Sequence, residues 1–181
     1  FRSDVTISGM IDGTGPAGRT LTVKAGNSIL LTSGAGISAA HALDVVLNAD
    51  AESSPDDLGA IYLASGASIA SAGGNITLGG GLNGTDFAVG TSTSTMPTYV
   101  SQSKYKGVFL QGVTLNASGT SSGGNISIKG KGWQGANWND LVTDYYAIGI
   151  DLVGYTGGTT MTTNRNGTIT LNGVGGIKIG R

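Results

Sequence analysis

The chain has 181 residues, no cysteine and a formal net charge of −1, with 10 Lys and Arg against 11 Asp and Glu. Its 33 glycines, 21 threonines, 18 serines and 11 asparagines make up close to half of the sequence. This excludes nucleic-acid binding through a basic stripe, disulfide or thiolate chemistry, and insertion into a membrane by a helix of about 18 or more apolar residues.

Short strands are predicted along the whole chain. In order they are Val5-Thr6-Ile7, Leu21-Thr22-Val23, Ser28 to Leu31, Asp44 to Leu47, Ala60 to Leu63, Ile76-Thr77-Leu78 and Gly107 to Leu110. Val113-Thr114-Leu115, Ile126-Ser127-Ile128, Ile148-Gly149-Ile150, Ile169-Thr170-Leu171 and Ile177-Lys178-Ile179 follow. Most are triplets with an aliphatic residue at each end, which puts two aliphatics on one face and one residue on the other. Gly, Asn or Ser brackets nearly every one, as tight turns require. Only Ser38 to Val46 and Asn139 to Tyr146 stand out as helix candidates.

A repeat runs through this pattern. Gly73-Gly74-Asn75-Ile76-Thr77-Leu78 returns as Gly123-Gly124-Asn125-Ile126-Ser127-Ile128, and more loosely as Asn166-Gly167-Thr168-Ile169-Thr170-Leu171. Further strands lie inside each interval, so each period is expected to hold about two turns of a coil. Inward aliphatics, small corners and outward Thr, Ser and Asn describe an all-β parallel β-solenoid, its strands stacked about 4.8 Å apart. A β-sandwich does not explain the repeat. Residues 1–181 therefore read as one β-helix segment with insertions at 82–106 and 133–146, both following the same motif and both expected at an equivalent corner.

The succession Leu43 to Asp50, Gly59 to Leu63, Gly66 to Ile69 and Ala72 to Gly81, continued by Val113 to Ala117 and Gly123 to Ile128, resembles filamentous-haemagglutinin-like giant surface adhesins of bacteria. That resemblance implies a right-handed, single-stranded parallel β-helix within a long rod, exported by a two-partner route to the cell surface. It implies a non-enzymatic stalk whose partner is a glycan or protein on a host or neighbouring cell. The expected state is a monomer, with end-to-end stacking through uncapped edges.

Both insertions are rich in aromatic residues: Phe87, Tyr99 and Tyr105 in the first, and Trp133, Trp138, Tyr145 and Tyr146 in the second, with Asp140 among them. Flat rings beside amides and carboxylates suit sugars or protein partners, so these eight are the candidate ligand-binding residues. The alternative is that the rings pack their own loops onto the rod. Asp50, Glu52, Asp56 and Asp57 form the densest acidic run, and such oxygens suit Ca²⁺, although the pattern is not that of an EF-hand. No other cofactor is indicated. No catalytic residue is assigned: His41 is the single histidine, and no nucleophile-elbow motif accompanies it and Asp44. A β-helix polysaccharide lyase or hydrolase would draw on Asp140, Asp144 and Asp151, against which Asp144 and Asp151 read as surface residues at strand ends; a third reading is a purely structural spacer whose loops bind nothing. The Asn-x-Ser/Thr triplets at Asn75, Asn116, Asn125 and Asn166 are expected to be incidental.

Overall fold

A computed structural model describes residues 3–52, 58–90, 105–133, 148–154 and 157–180. The described residues form seventeen short strands and no α-helix, so no helix among them is long and apolar enough to cross a membrane. The first round of the chain consists of β1 (Val5–Ile7), β2 (Met10–Gly13) and β3 (Arg19–Lys24), and the second of β4 (Ile29–Leu31), β5 (Gly36–Ala39) and β6 (Leu43–Ala49). The third round holds β7 (Ile61–Leu63), β8 (Ser68–Ala70), β9 (Ile76–Gly80) and the two-residue β10 (Ala88–Val89). β11 (Val108–Gln111), β12 (Thr114–Asn116) and β13 (Ile126–Lys131) make the fourth. β14 (Ile150–Val153), β15 (Thr160–Thr162) and β16 (Ile169–Val174) make the fifth, and β17 (Ile177–Gly180) opens a sixth.

Each round contributes to three sheets in turn, and every strand pair is parallel. The first sheet runs β1-β4-β7-β11-β14-β17 and the second β2-β5-β8-β12-β15. The third runs β3-β6-β9-β13, with β16 and β10 also on β13. The repeats stack directly: Ile76 faces Ile126, and Ile126 faces Ile169. The fifty residues from Ile76 to Ile126 therefore make one round, not two. The strands inside that interval belong to the other two sheets, and the insertion takes up the remaining length.

In-register stacking turns each aliphatic position into a column. Leu21, Val45, Ile76, Ile126 and Ile169 form one, and Ile7, Leu31, Leu63, Leu110, Leu152 and Ile179 another. Residues of all three sheets meet in a single buried cluster. Burial is complete in the middle rounds and falls away at the last one, where Ile179 is 76% exposed. Each fully buried Ile or Leu contributes about 1.5–3 kcal/mol relative to an exposed one, so the stack is held mainly by its central rounds.

The Gly-Gly-Asn part of the repeat has its own physical cause. A Cβ on Gly74 would overlap the carbonyl oxygen of Leu43, and one on Gly124 that of Gly74. Backbone packs on backbone at this corner, which only glycine allows. Outward positions of the third sheet carry a ladder of Thr77, Ser127 and Thr170 in register, where β-branched and small polar residues suit a solvated pleat. The stretch from Ser38 to Val46 is not helical: it ends β5, bends at residues 40–42 and begins β6. Its apolar residues fit a helical period as well as a strand, but parallel pairing on both sides satisfies its backbone.

Candidate functional site

The chain passes from the third sheet to the first once in every round. Residues 25–28 and 175–176 make that passage tightly at the two ends of the stack. In the three rounds between, the passage is long: it spans 50–60 after β6, 90–107 after β10, and 132–149 after β13. Both predicted insertions therefore leave at an equivalent corner. Asp50 and Glu52, the described part of the acidic run, lie there too, a relationship that its own spacing does not reveal. The first insertion is also divided. Residues 81–87 form a small excursion, after which β10 returns to pair with Gly130 and Lys131 of β13. An antiparallel bridge between Gly80 and Asp86 closes the excursion, and Lys129 Nζ donates to the Thr85 carbonyl at 2.7 Å.

The feet of these connections are interlocked through backbone groups. Gly59 and Val89 exchange hydrogen bonds of 2.8 and 2.9 Å, Gly90 N–H donates to Lys131 O at 2.9 Å, and Trp133 N–H donates to Tyr105 O at 2.8 Å. That last bond joins the end of the first insertion to the start of the second. Their rings also meet: Tyr105 and Trp133 lie 5.3 Å apart, tilted by 39°. Both are half-buried, as is Phe87, so each keeps an accessible edge. Tyr99, Trp138, Asp140, Tyr145 and Tyr146 lie outside the described residues. So do Asp56 and Asp57. Asp50 is buried, with a left-handed backbone at φ 52°, and Glu52 is half-buried. Among the described residues no three His, Cys, Asp or Glu side chains are grouped to hold a metal ion.

Beside this corner the first sheet carries a second apolar cluster on the face opposite the core: Leu30, Tyr62, Ala64, Phe109 and Val153. Leu30, Tyr62, Phe109, Asp151 and Lys178 stand in register, one per round. Tyr62 and Phe109 stack at 5.1 Å with 18° between their planes, and the Tyr62 hydroxyl donates to Gln111 Oε1 at 2.8 Å. Asp151 is fully buried, not a surface residue at a strand end. Its Oδ2 lies 2.5 Å from Lys106 Nζ, and that ammonium sits 4.0 Å over the Phe109 ring. One signal for this face was present in the triplets. Their central residues are Leu30, Tyr62 and Phe109 in the first sheet but Thr77, Ser127 and Thr170 in the third. A large apolar residue there marks a strand buried on both faces.

The opposite corner, between the second and third sheets, holds an open groove of about 460 Å³. Exposed His41 lines it with Ala72, Gly73 and the overhanging segment 118–122. Among the described residues no carboxylate lines the groove. Asp44 is engaged elsewhere: its Oδ1 accepts from Asn75 N–H at 2.7 Å and from Asn75 Nδ2 at 3.0 Å. The asparagines of the repeat extend this ladder, since Asn75 Oδ1 accepts from Asn125 N–H and Asn125 Oδ1 accepts from Thr168 N–H, each at 2.9 Å. Asn116 instead closes a local turn onto Ser118 N–H at 2.9 Å. At least three of the four Asn-x-Ser/Thr triplets thus have asparagines with a structural use.

Compared with protein-family models, curated proteins and solved structures, the chain finds no match in any of the three.

Proposed function

We propose that the chain is a right-handed, single-stranded parallel β-helix, and a segment of a filamentous-haemagglutinin-like bacterial surface adhesin. On this reading it lies outside the cell, carries no catalytic centre, and serves as a rod that presents a contact surface along one flank. One observation carries the reading: three long connections leave the same corner in consecutive rounds, with Tyr105 and Trp133 paired at their feet. A stalk with no display role needs no such concentration of length and aromatic area on one side. Half-exposed rings in a largely uncharged, hydroxyl-rich protein suit a sugar face or an apolar protein side chain. The partner is accordingly a glycan or protein on a neighbouring cell surface. The buried ion pair of Asp151 weighs against a polysaccharide-processing enzyme, which needs that carboxylate open to substrate.

Glycan-array and whole-cell binding tests this reading with Trp133→Ala and Tyr105→Ala, beside Thr77→Ala on the third sheet as a control. Loss of at least about tenfold in affinity for the two aromatic variants is expected, as for truncation of an anchoring ring. Binding that none of the three changes, in variants with unaltered circular dichroism, rejects the displayed surface.

A further inference from the structure

Lys106 and Asp151 form a close, buried ion pair across two rounds of the stack. Lys106 lies two residues before the strand that carries Phe109, and Asp151 lies opposite Phe109 in the register of the next round. The two side chains are 12% and 0% exposed, and Nζ is 2.5 Å from Oδ2. Charge-assisted N–H···O contacts usually span about 2.7–2.9 Å, so this pair is pressed closer than an ordinary ion pair. Among the described residues no hydrogen bond of normal geometry reaches either carboxylate oxygen. Phe109, with Tyr62 stacked on it, forms an apolar wall against the ammonium. An ion pair buried with its remaining lone pairs unsatisfied is costly to keep charged.

We propose that Lys106 and Asp151 condense into an intramolecular isopeptide bond. One ammonium proton crosses the short contact to Oδ2, leaving an amine and a carboxylic acid. Nζ then attacks Cγ, a second N–H proton passes to the departing oxygen, and the Cγ–O bond breaks to release water. The ammonium and carboxylate become one amide and one water, with no change of oxidation state and no co-reactant. The product removes both buried charges, and the partly open side of Lys106 gives the water an exit. Holding the two groups in contact supplies the proximity that drives such a condensation, worth effective concentrations of about 10⁵ M or more for well-oriented pairs. The bond would join the end of the first insertion to the strand just after the second, bracing the flank on which both stand. It does not depend on what the aromatic residues bind.

Mass spectrometry of the intact chain under denaturing conditions tests this. A mass one water below that of the sequence is expected, with a branched tryptic peptide in which Lys106 is uncut and joined to the segment carrying Asp151. Lys106→Arg keeps a cation beside Asp151 but has no amine to condense, and should show the full sequence mass and no branched peptide. A wild-type chain of full sequence mass, cleaved normally after Lys106, overturns the proposal. So does a lost water that maps to a succinimide within a single peptide. If Lys106→Arg does not fold, the wild-type peptide map decides alone.

Discussion

Asn75 and Asn125 are 50 residues apart, yet the side-chain oxygen of the first accepts the backbone N–H of the second at 2.9 Å. With Asp44 below and Thr168 above, they form a polar rail along the start of the third sheet's strands. Asp44, Asn75 and Asn125 each satisfy a backbone donor of the next round, where the chain turns and has no strand partner to do so.

Asn75→Ala should therefore destabilise the chain by about 1 kcal/mol, the net worth of a typical hydrogen bond. Asp44→Ala should cost a similar amount, and the double variant less than the two together, because both act on one rail. Urea titration of the four proteins measures the coupling. Strict additivity would show that the rail is not a unit.

Gly124→Ala should be among the most damaging single-methyl additions. The new Cβ meets the backbone of the previous round at Gly74, and backbone yields less readily than a side chain. A loss of roughly 1–3 kcal/mol is expected, as for overpacking in a core. Gly9→Ala, where a Cβ meets nothing within 4 Å, should be neutral. Thermal melts of the pair read the contrast directly.

Leu63→Ala and Ile179→Ala remove side chains from the same column but from opposite situations, 0% and 76% exposed. The first should cost about 2–5 kcal/mol by opening a cavity, and the second no more than about 0.5 kcal/mol. Equal losses in chemical denaturation would contradict the burial gradient along the stack.

The Lys106–Asp151 pair should respond unequally to truncation. Lys106→Ala strands a carboxylate in a fully buried site and should cost about 3–5 kcal/mol. Asp151→Ala leaves a lysine that is partly open to water and should cost clearly less. Replacing both, as Lys106→Met with Asp151→Leu, removes both buried charges and should be more stable than Lys106→Ala, without restoring what a covalent link adds to the wild type. Denaturation midpoints of the three variants distinguish this from simple loss of packing.

The strands of the first and third sheets were mostly legible because nearly all have aliphatic residues at both ends of a triplet; the exceptions are β10, too short to show a pattern, and β14, which starts at Ile150 where Ile148-Gly149-Ile150 was expected. Those of the second sheet mostly were not. Its rounds turn single residues inward (Ile37 and Ile69 buried, Ile11 and Met161 partly so) among mostly small neighbours, and one apolar residue gives no alternation to read. The period of the repeat was visible, but its meaning was not. A loop and two extra strands occupy sequence in the same way, and only register separates them. The motif ahead of both insertions pointed to one corner, whereas Asp50 and Glu52 follow no such motif, so their place at the end of β6 was concealed. The Lys106–Asp151 contact spans a long insertion and left no trace in spacing.

A round can be as short as the 24 residues from Asp4 to Ser28 or as long as the 50 from Asn75 to Asn125, yet each adds one layer in register. What is inserted at the corner between the third and first sheets does not alter the pairing of the strands on either side. Stability and surface content are thereby written in separate parts of the sequence. A connection at that corner can therefore change in length without moving the strands that carry the core, so the scaffold tolerates there what it would not tolerate inside a strand.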